Sequence, residues 1–231
     1  VKPQFSLASL GIIATLVART YLTRDAAAKQ PDGPLNLEQA IAVSRNPKAS
    51  HRGVLVVLNG TIHAAAHVRK MHVRTLDSFQ SPNLGPEGVL NDGTIEFLRE
   101  AASARVHIEL SSNQLQALPR VDIIWSYLGA DGELLRSVRA AGAKGAVIAG
   151  FGIGRTPPEL RVAISEAVDS GFPIVLASRV SAGELFADKD WPPALVSAGV
   201  LDPLKARIVL MLAVAAGRYI AGLQSQFDQF R

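Results

Sequence analysis

The sequence predicts an α/β fold in two parts, the second built on a parallel sheet. Three observations carry this. From Val121 onward, short apolar runs rich in β-branched residues alternate with runs at helical spacing. A weakly periodic stretch from Glu100 to Arg120, ending at Leu118-Pro119, separates that alternation from a shorter one before it. At 231 residues, 48% hydrophobic and 19% charged, the chain has the composition of a folded protein with a substantial core. The expected division is an N-terminal domain over residues 1–103, a linker over 104–120 and a C-terminal domain over 121–231.

The chain begins with Val1 and not methionine, which fits a fragment, a processed chain or an incomplete gene model. Lys2 followed by the apolar run Phe5 to Ala18 resembles a signal peptide. Its partly β-branched centre, Ile12-Ile13-Ala14-Thr15-Leu16-Val17, equally fits a buried strand. The run is too short to cross a bilayer as a helix, and no membrane partner is expected. Pro34 to Val43 opens with proline and predicts a helix with Leu37, Ala40, Ile41 and Ser44 along one face. Val54 to Leu58 is a continuous apolar run, the type of strand buried on both faces of a parallel sheet. Val68 to Thr75 is polar and irregular, expected as a loop and a short strand. Asn91-Asp92-Gly93 signals a hairpin turn between short strands.

The second half reads more cleanly. Val121-Asp122-Ile123-Ile124-Trp125 is a strand, and Gly132 to Ala141 is a helix with Leu134, Leu135 and Val138 on one face. Gly145 to Ala149 and Pro173 to Ala177 are further strands, flanking a helix from Pro157 to Ser170 that carries Leu160, Val162, Ile164 and Val168. Pro203 to Ile220 closes the chain as a long helix, apolar on nearly all faces. Strands and helices in this alternation imply crossovers and a parallel sheet covered on both sides.

The net charge of +4 is small, the basic residues are scattered and aromatics make up only 6%, so a nucleic-acid surface is not expected. The absence of cysteine excludes disulfides, thiolate metal sites and a cysteine nucleophile. It suits an oxidising or a reducing compartment, leaving periplasmic, secreted and cytoplasmic locations open. His63 and His67 have an i,i+4 spacing that would hold zinc on a helix, but no third ligand stands nearby. Gly150-Phe151-Gly152-Ile153-Gly154 is like a phosphate-binding loop without the full fingerprint. Ser126 and Ser178-Arg179 have no paired base within sequence reach, so a serine triad is not supported.

The most informative stretch is Gly53 to Gly88. Gly53-Val54-Leu55-Val56-Val57-Leu58-Asn59 is followed by Ile62-His63, Val68-Arg69-Lys70-Met71-His72 and Phe79-Gln80-Ser81-Pro82-Asn83-Leu84-Gly85-Pro86-Glu87-Gly88. In order and spacing this resembles the bacterial-type L-asparaginase family. Further matches are Asp32-Gly33-Pro34-Leu35-Asn36-Leu37, Tyr127 to Gly132, Ala141 to Gly145, Ala149 to Gly152, Ser178-Arg179-Val180 and Leu201 to Arg207. The resemblance covers roughly Asp32 to Arg231. It implies a two-domain asparaginase-like fold, with an incomplete N-terminal parallel-sheet domain and a small flavodoxin-like C-terminal domain. It also implies hydrolysis of the side-chain amide of asparagine, a homo-oligomer (dimer or tetramer), and neither metal nor organic cofactor.

The same resemblance nominates the site residues. Lys70 stands where the family keeps a lysine that bonds a threonine and an aspartate. The chemistry needs such a group, because a hydroxyl is a poor nucleophile until a neighbour accepts its proton. On residue type alone, Lys70 also fits a solvated basic cluster with Arg69 and Arg74. His67 and Arg69 replace the acidic and threonine neighbours of the family pattern. In the family a neighbouring subunit contributes binding residues from its C-terminal domain. Here they would be Arg155, which departs from a small polar residue, and Glu184 or Asp188, between which the match does not choose. The family's Thr-Gly-Gly-Thr and Gly-Thr-Asp strings, which carry its nucleophile, occur nowhere in this sequence. The expectation is therefore an asparaginase-type scaffold whose activity in this chain is doubtful. The alternatives are an inactive binding or interaction module and a truncated gene product.

Overall fold

The computed structural model describes residues 31–101, 108–218 and 222–230. The strand or signal segment expected before Asp32 lies outside them, as does part of the expected linker. The chain divides into two compact units, Val1–Arg105 and Val106–Arg231.

In the first unit, helix α1 (Gly33–Ser44) begins with Pro34 in its first turn. It buries Gly33, Asn36, Ala40 and Val43, while Leu37 and Ile41 stay exposed, so the expected inward face is rotated. The reason is polar. Asn36 Oδ1 accepts from the Asn59 N–H at 2.9 Å and Gln39 Oε1 from the Gly60 N–H at 3.1 Å, which turns this side of the helix toward a hairpin. A short 3-10 turn, Pro47–Ala49, follows.

That hairpin corrects the reading of Val54 to Leu58. The strand, β1 (Leu55–Leu58), pairs antiparallel with β2 (Thr61–Ala64), with Leu58 opposite Thr61. Asn59 and Gly60, both at positive φ (48° and 69°), form the two-residue turn. Such a turn matches the twist of antiparallel strands and favours Asn-Gly. Alternate residues Leu55 and Val57 are buried and Val56 and Leu58 half-buried, so the strand has one core face. Strands β3 (Arg69–Lys70) and β4 (Phe79–Gln80) form a separate two-stranded ladder. β5 (Gly88–Asn91) and β6 (Thr94–Phe97) form the expected hairpin across Asp92-Gly93, and the main sheet runs β1-β2-β5-β6. Ala40, Val43, Leu55, Val57, Ile62 and Leu90 make its core.

In the second unit, the expected linker contains a short helix, α2 (Ser112–Gln116). A reciprocal Ser111/Gln114 capping box starts it, and Gln114 Nε2 donates to the Ala215 carbonyl at 2.8 Å. Beyond it, β7 (Val121–Trp125), α3 (Glu133–Ala140), β8 (Gly145–Gly150), α4 (Pro158–Asp169) and β9 (Ile174–Ser178) follow the sequence reading closely. A two-residue strand, β10 (Val196–Ser197), completes a parallel sheet in the order β10-β9-β8-β7. Side chains alternate across it as strand geometry requires. Ile124, Ala146, Ile148, Ile174 and Leu176 pack with residues of α3 and α4. Val121, Val147, Val175 and Ala177 pack with α5 (Pro203–Ala215) and α6 (Leu223–Asp228). Leu134 and Val162, grouped in the sequence with the apolar residues of their helices, are exposed.

Helix α5 is shorter and more sided than its composition suggests. It starts at Asp202, whose Oδ1 accepts from the Lys205 N–H at 2.9 Å, and ends near Gly217 at φ 73°. Ala206, Val209, Leu210 and Ala213 are buried, whereas Leu204 and Ile208 are exposed. The side-chain amide of Gln224 covers the outer edge of β10. It accepts from the Ser197 N–H at 2.8 Å and donates to the Ser197 carbonyl at 3.2 Å, standing in for a neighbouring strand. Among the described residues no helix is long and apolar enough to cross a membrane.

Candidate functional site

Lys70 lies in β3, where the Arg69–Gln80 and Lys70–Phe79 pairings of the short ladder hold it. Its side chain is exposed. Among the described residues its ammonium has one partner, the face of the Phe79 ring, 5.4 Å from the centroid. No threonine hydroxyl or carboxylate of the described residues meets it.

Asn59, Thr61, His63, Asp77, Phe79 and Ser81 contribute to a pocket of about 330 Å³ within the first unit. His63 is 3% exposed, and its Nδ1 lies 3.0 Å from Ser81 Oγ. Its Nε2 is shielded from solvent and has no hydrogen-bond partner among the described residues. Burial pushes the imidazole down to about 4, so the ring is neutral near pH 7. His67 stands in the turn after β2, so the His63/His67 pair has no helix face on which to hold zinc. Nothing in the sequence marked His63 as buried, since its strand starts in a turn whose Asn-Gly signal the apolar run overshadowed.

In the second unit the candidate groups gather at the carboxyl ends of the parallel strands, where open α/β sheets place ligands. After β8 the chain folds back tightly. The Phe151 N–H donates to the Arg155 carbonyl at 2.8 Å, and the N–H groups of Gly154 and Arg155 both donate to the Phe151 carbonyl. The amides of Phe151, Gly154 and Arg155 are therefore spent within the loop. The glycines serve packing. A Cβ on Gly150 would stand 2.9 Å from Gly154, and one on Gly154 would stand 2.9 Å from Leu176.

This loop carries Arg155, whose Nη2 lies 3.9 Å from Asp188 Oδ2. Both border a smaller pocket of about 60 Å³ with Arg161, Asp190 and Trp191. Glu184 is half-buried, with one carboxylate oxygen shielded from solvent. It precedes Leu185, whose side chain would lie 3.2 Å from a Cβ on Gly154. The fold thus brings Arg155 and Asp188 together and keeps Glu184 in the same neighbourhood, while Lys70 belongs to the other unit. Arg179, which sequence reasoning passed over, donates to the Ser126 carbonyl. Its guanidinium stacks 4.7 Å from the Phe151 ring centroid and 5.8 Å from that of Trp125. Ser178 Oγ donates to the Gly152 carbonyl at 2.6 Å, a structural use of the hydroxyl.

Comparison with known proteins places both units. Residues 22–103 match the family model described as asparaginase, N-terminal, and residues 120–227 match that of the glutaminase/asparaginase C-terminal domain. The chain is 33% identical over 211 residues to the probable periplasmic L-asparaginase of Haemophilus influenzae, covering 90% of this chain and 60% of that protein. It is 34% identical over 209 residues to L-asparaginase 2 of Bacillus subtilis, covering 90% and 56%. It therefore spans roughly 60% of the length of these curated relatives. The crystal structure of the probable cytoplasmic L-asparaginase of Campylobacter jejuni is similar with a TM-score of 0.83 at 33% identity, covering 89% of this chain and 67% of that one. With two consecutive family models and a solved relative agreeing along nearly all of its described length, the chain belongs to the bacterial-type L-asparaginase family.

Proposed function

We propose that this chain is an amidohydrolase scaffold whose ligand is L-asparagine, with glutamine a weaker alternative, and that by itself it does not turn the ligand over. In the proposed chemistry a threonine hydroxyl attacks the side-chain amide carbon and its proton passes to a base held by the lysine. That proton is returned to the leaving nitrogen, which departs as ammonia, and water hydrolyses the acyl-enzyme to aspartate, restoring the threonine hydroxyl. Lys70 is the residue of this chain assigned to that relay, and neither metal nor organic cofactor takes part. Arg155, Glu184 and Asp188 are assigned to binding, completing the site of a neighbouring copy in a homo-oligomer.

The observation that carries the reading is the setting of Lys70. A short ladder inside the matched family segment holds it, yet its ammonium meets an aromatic face where the relay needs a hydroxyl. The threonine-bearing strings of the family are absent from the sequence. The Arg155–Asp188 contact favours a second reading, an inactive amino-acid-binding module, since a guanidinium fork beside a carboxylate suits the two charged ends of an amino acid. Thermal-shift titration with L-asparagine, run beside an ammonia assay, tests both. Stabilisation without ammonia is the expected result, and a melt unmoved at millimolar asparagine would contradict it.

A further inference from the structure

We propose that Asn59 is a site of spontaneous deamidation in this chain, and that Gln39 governs its rate. Of the asparagines in the sequence, Asn59 alone is followed by glycine. It is exposed on the β1–β2 turn at φ 48°. Its hydrogen bonds run through its backbone, leaving the side-chain amide without a partner among the described residues. The electrophilic Cγ is therefore open, and Gly60 carries no side chain to hinder an approach by its own nitrogen.

The chemistry needs only water. The Gly60 backbone nitrogen attacks Asn59 Cγ, and the new C–N bond closes a succinimide ring as the old Cγ–Nδ2 bond breaks. The side-chain nitrogen takes the Gly60 N–H proton and leaves as ammonia. Water then opens the ring at either carbonyl. One opening leaves an aspartyl residue, the other an isoaspartyl residue whose main chain runs through the former side chain.

The folded turn opposes the first step. The Gly60 N–H donates to Gln39 Oε1 at 3.1 Å, and the Gly60 carbonyl accepts from the Leu90 N–H at 2.7 Å. The Asn59 N–H donates to Oδ1 of the buried Asn36 at 2.9 Å. The attacking nitrogen is thus held toward α1, and the turn must open before that nitrogen swings to Cγ. Gln39 is the side chain in this clamp that holds the nitrogen itself. The two products differ in effect. An aspartyl residue suits the turn, because Asp-Gly serves it as Asn-Gly does. It adds a carboxylate to the border of the pocket that Asp77 also lines. An isoaspartyl residue lengthens the main chain between the paired Leu58 and Thr61, which a two-residue turn does not accommodate.

The inference is independent of the amidohydrolase reading, and its test reads the chain itself and not ammonia from free asparagine. The intact chain is aged in warm, mildly alkaline buffer, folded and in urea. Aspartyl and isoaspartyl products at each asparagine are read by peptide mass mapping with an isoaspartyl methyltransferase assay. In the folded chain Asn59 is expected to react ahead of Asn83 and Asn113, which precede larger residues. Its folded rate should lie roughly tenfold or more below its rate in urea, as a misplaced nucleophile requires. Gln39→Leu should raise the folded rate about fivefold, the shift that loss of one hydrogen bond allows. Gln39→Glu, which keeps the acceptor, should hold it near the parent value. The separated isoaspartyl chain should melt below the parent, and Asn59→Asp close to it. No product at Asn59, or product no faster there than at Asn83 and Asn113, would overturn the proposal. Equal rates in the parent and Gln39→Leu, or equal acceleration by Gln39→Leu and Gln39→Glu, would overturn the role of Gln39. If Gln39→Leu does not fold, the parent and Gln39→Glu decide, and a folded rate equal to that in urea counts against the clamp.

Discussion

The Arg52 guanidinium meets the Glu87 carboxylate at 3.1 Å, with the arginine side chain only 6% exposed. The same guanidinium donates to the carbonyls of Lys48 at 2.8 Å and Arg99 at 2.6 Å and lies 4.1 Å from the Phe97 ring centroid. One side chain therefore ties the segment after α1 to the loop before β5 and to the end of β6.

Removing it strands Glu87. Losing one partner of a buried ion pair costs about 3–5 kcal/mol, more than the pair itself contributes. Arg52→Ala is expected to destabilise the first unit by about 3 kcal/mol in urea melts, and Arg52→Lys to recover less than half of that, because lysine lacks the planar fork. A loss below about 0.5 kcal/mol, typical of an exposed pair, would show that the network is solvated.

His63 predicts a dependence on pH. Its folded value is pushed down to about 4 against an ordinary 6.5, so between these limits the unfolded chain binds more protons than the folded one. Stability from this residue is therefore fully present above pH 6.5, declines as pH falls toward 4 and changes no further below that. The span corresponds to as much as ~3 kcal/mol. Melts of the parent chain and of His63→Phe at several pH values measure it. Identical slopes between pH 4 and 6.5 would contradict the burial of this ring.

The second unit was legible because its strands are continuous apolar runs bounded by turns, and Val121 to Trp125 is β7 residue for residue. The first unit was harder to read. A continuous run at Val54 to Leu58 fits a doubly covered parallel strand, yet the Asn59-Gly60 turn beside it specifies a hairpin and prevailed. Leu37 and Ile41 are the large apolar pair on α1, but Asn36 and Gln39 bond the turn amides and set the helix rotation. β10 and α6 escaped notice because two residues after Pro192-Pro193 show no periodicity, and because Gln224, Ser225 and Gln226 mask the buried Leu223 and Phe227. The proximity of Arg155 and Asp188 depends on tertiary folding, and no local spacing encodes it.

Limited proteolysis checks the division of the chain. Limited digestion is expected to cut first between the two compact units and to leave a C-terminal fragment that resists further digestion. In that fragment α2 remains anchored through Gln114 and Ala215. Equal hydrogen-exchange protection across both units, or early cleavage within β7 to β9, would contradict the division.

Self-association is expected. Leu128 is 88% exposed, and Trp125, Tyr127, Ile153 and Phe186 are more than half exposed, all in or just beyond β7, β8 and β9. Leu204 and Ile208 add exposed apolar surface on α5. Where such side chains form one continuous apolar patch, they mark a contact surface. Light scattering at tens of micromolar should give at least a dimer, and Leu128→Asp with Phe186→Asp should weaken it. A monodisperse monomer with a cooperative melt would refute it.

Ammonia release from L-asparagine by the purified chain tests the central proposal most directly, that Lys70 is the relay lysine and meets no hydroxyl among the described residues. The account predicts no release above background, in the parent chain and in Lys70→Met alike, since loss of one member of such a relay already costs orders of magnitude in rate. Turnover within about tenfold of an ordinary kcat near 10 per second, abolished by Lys70→Met, would contradict it.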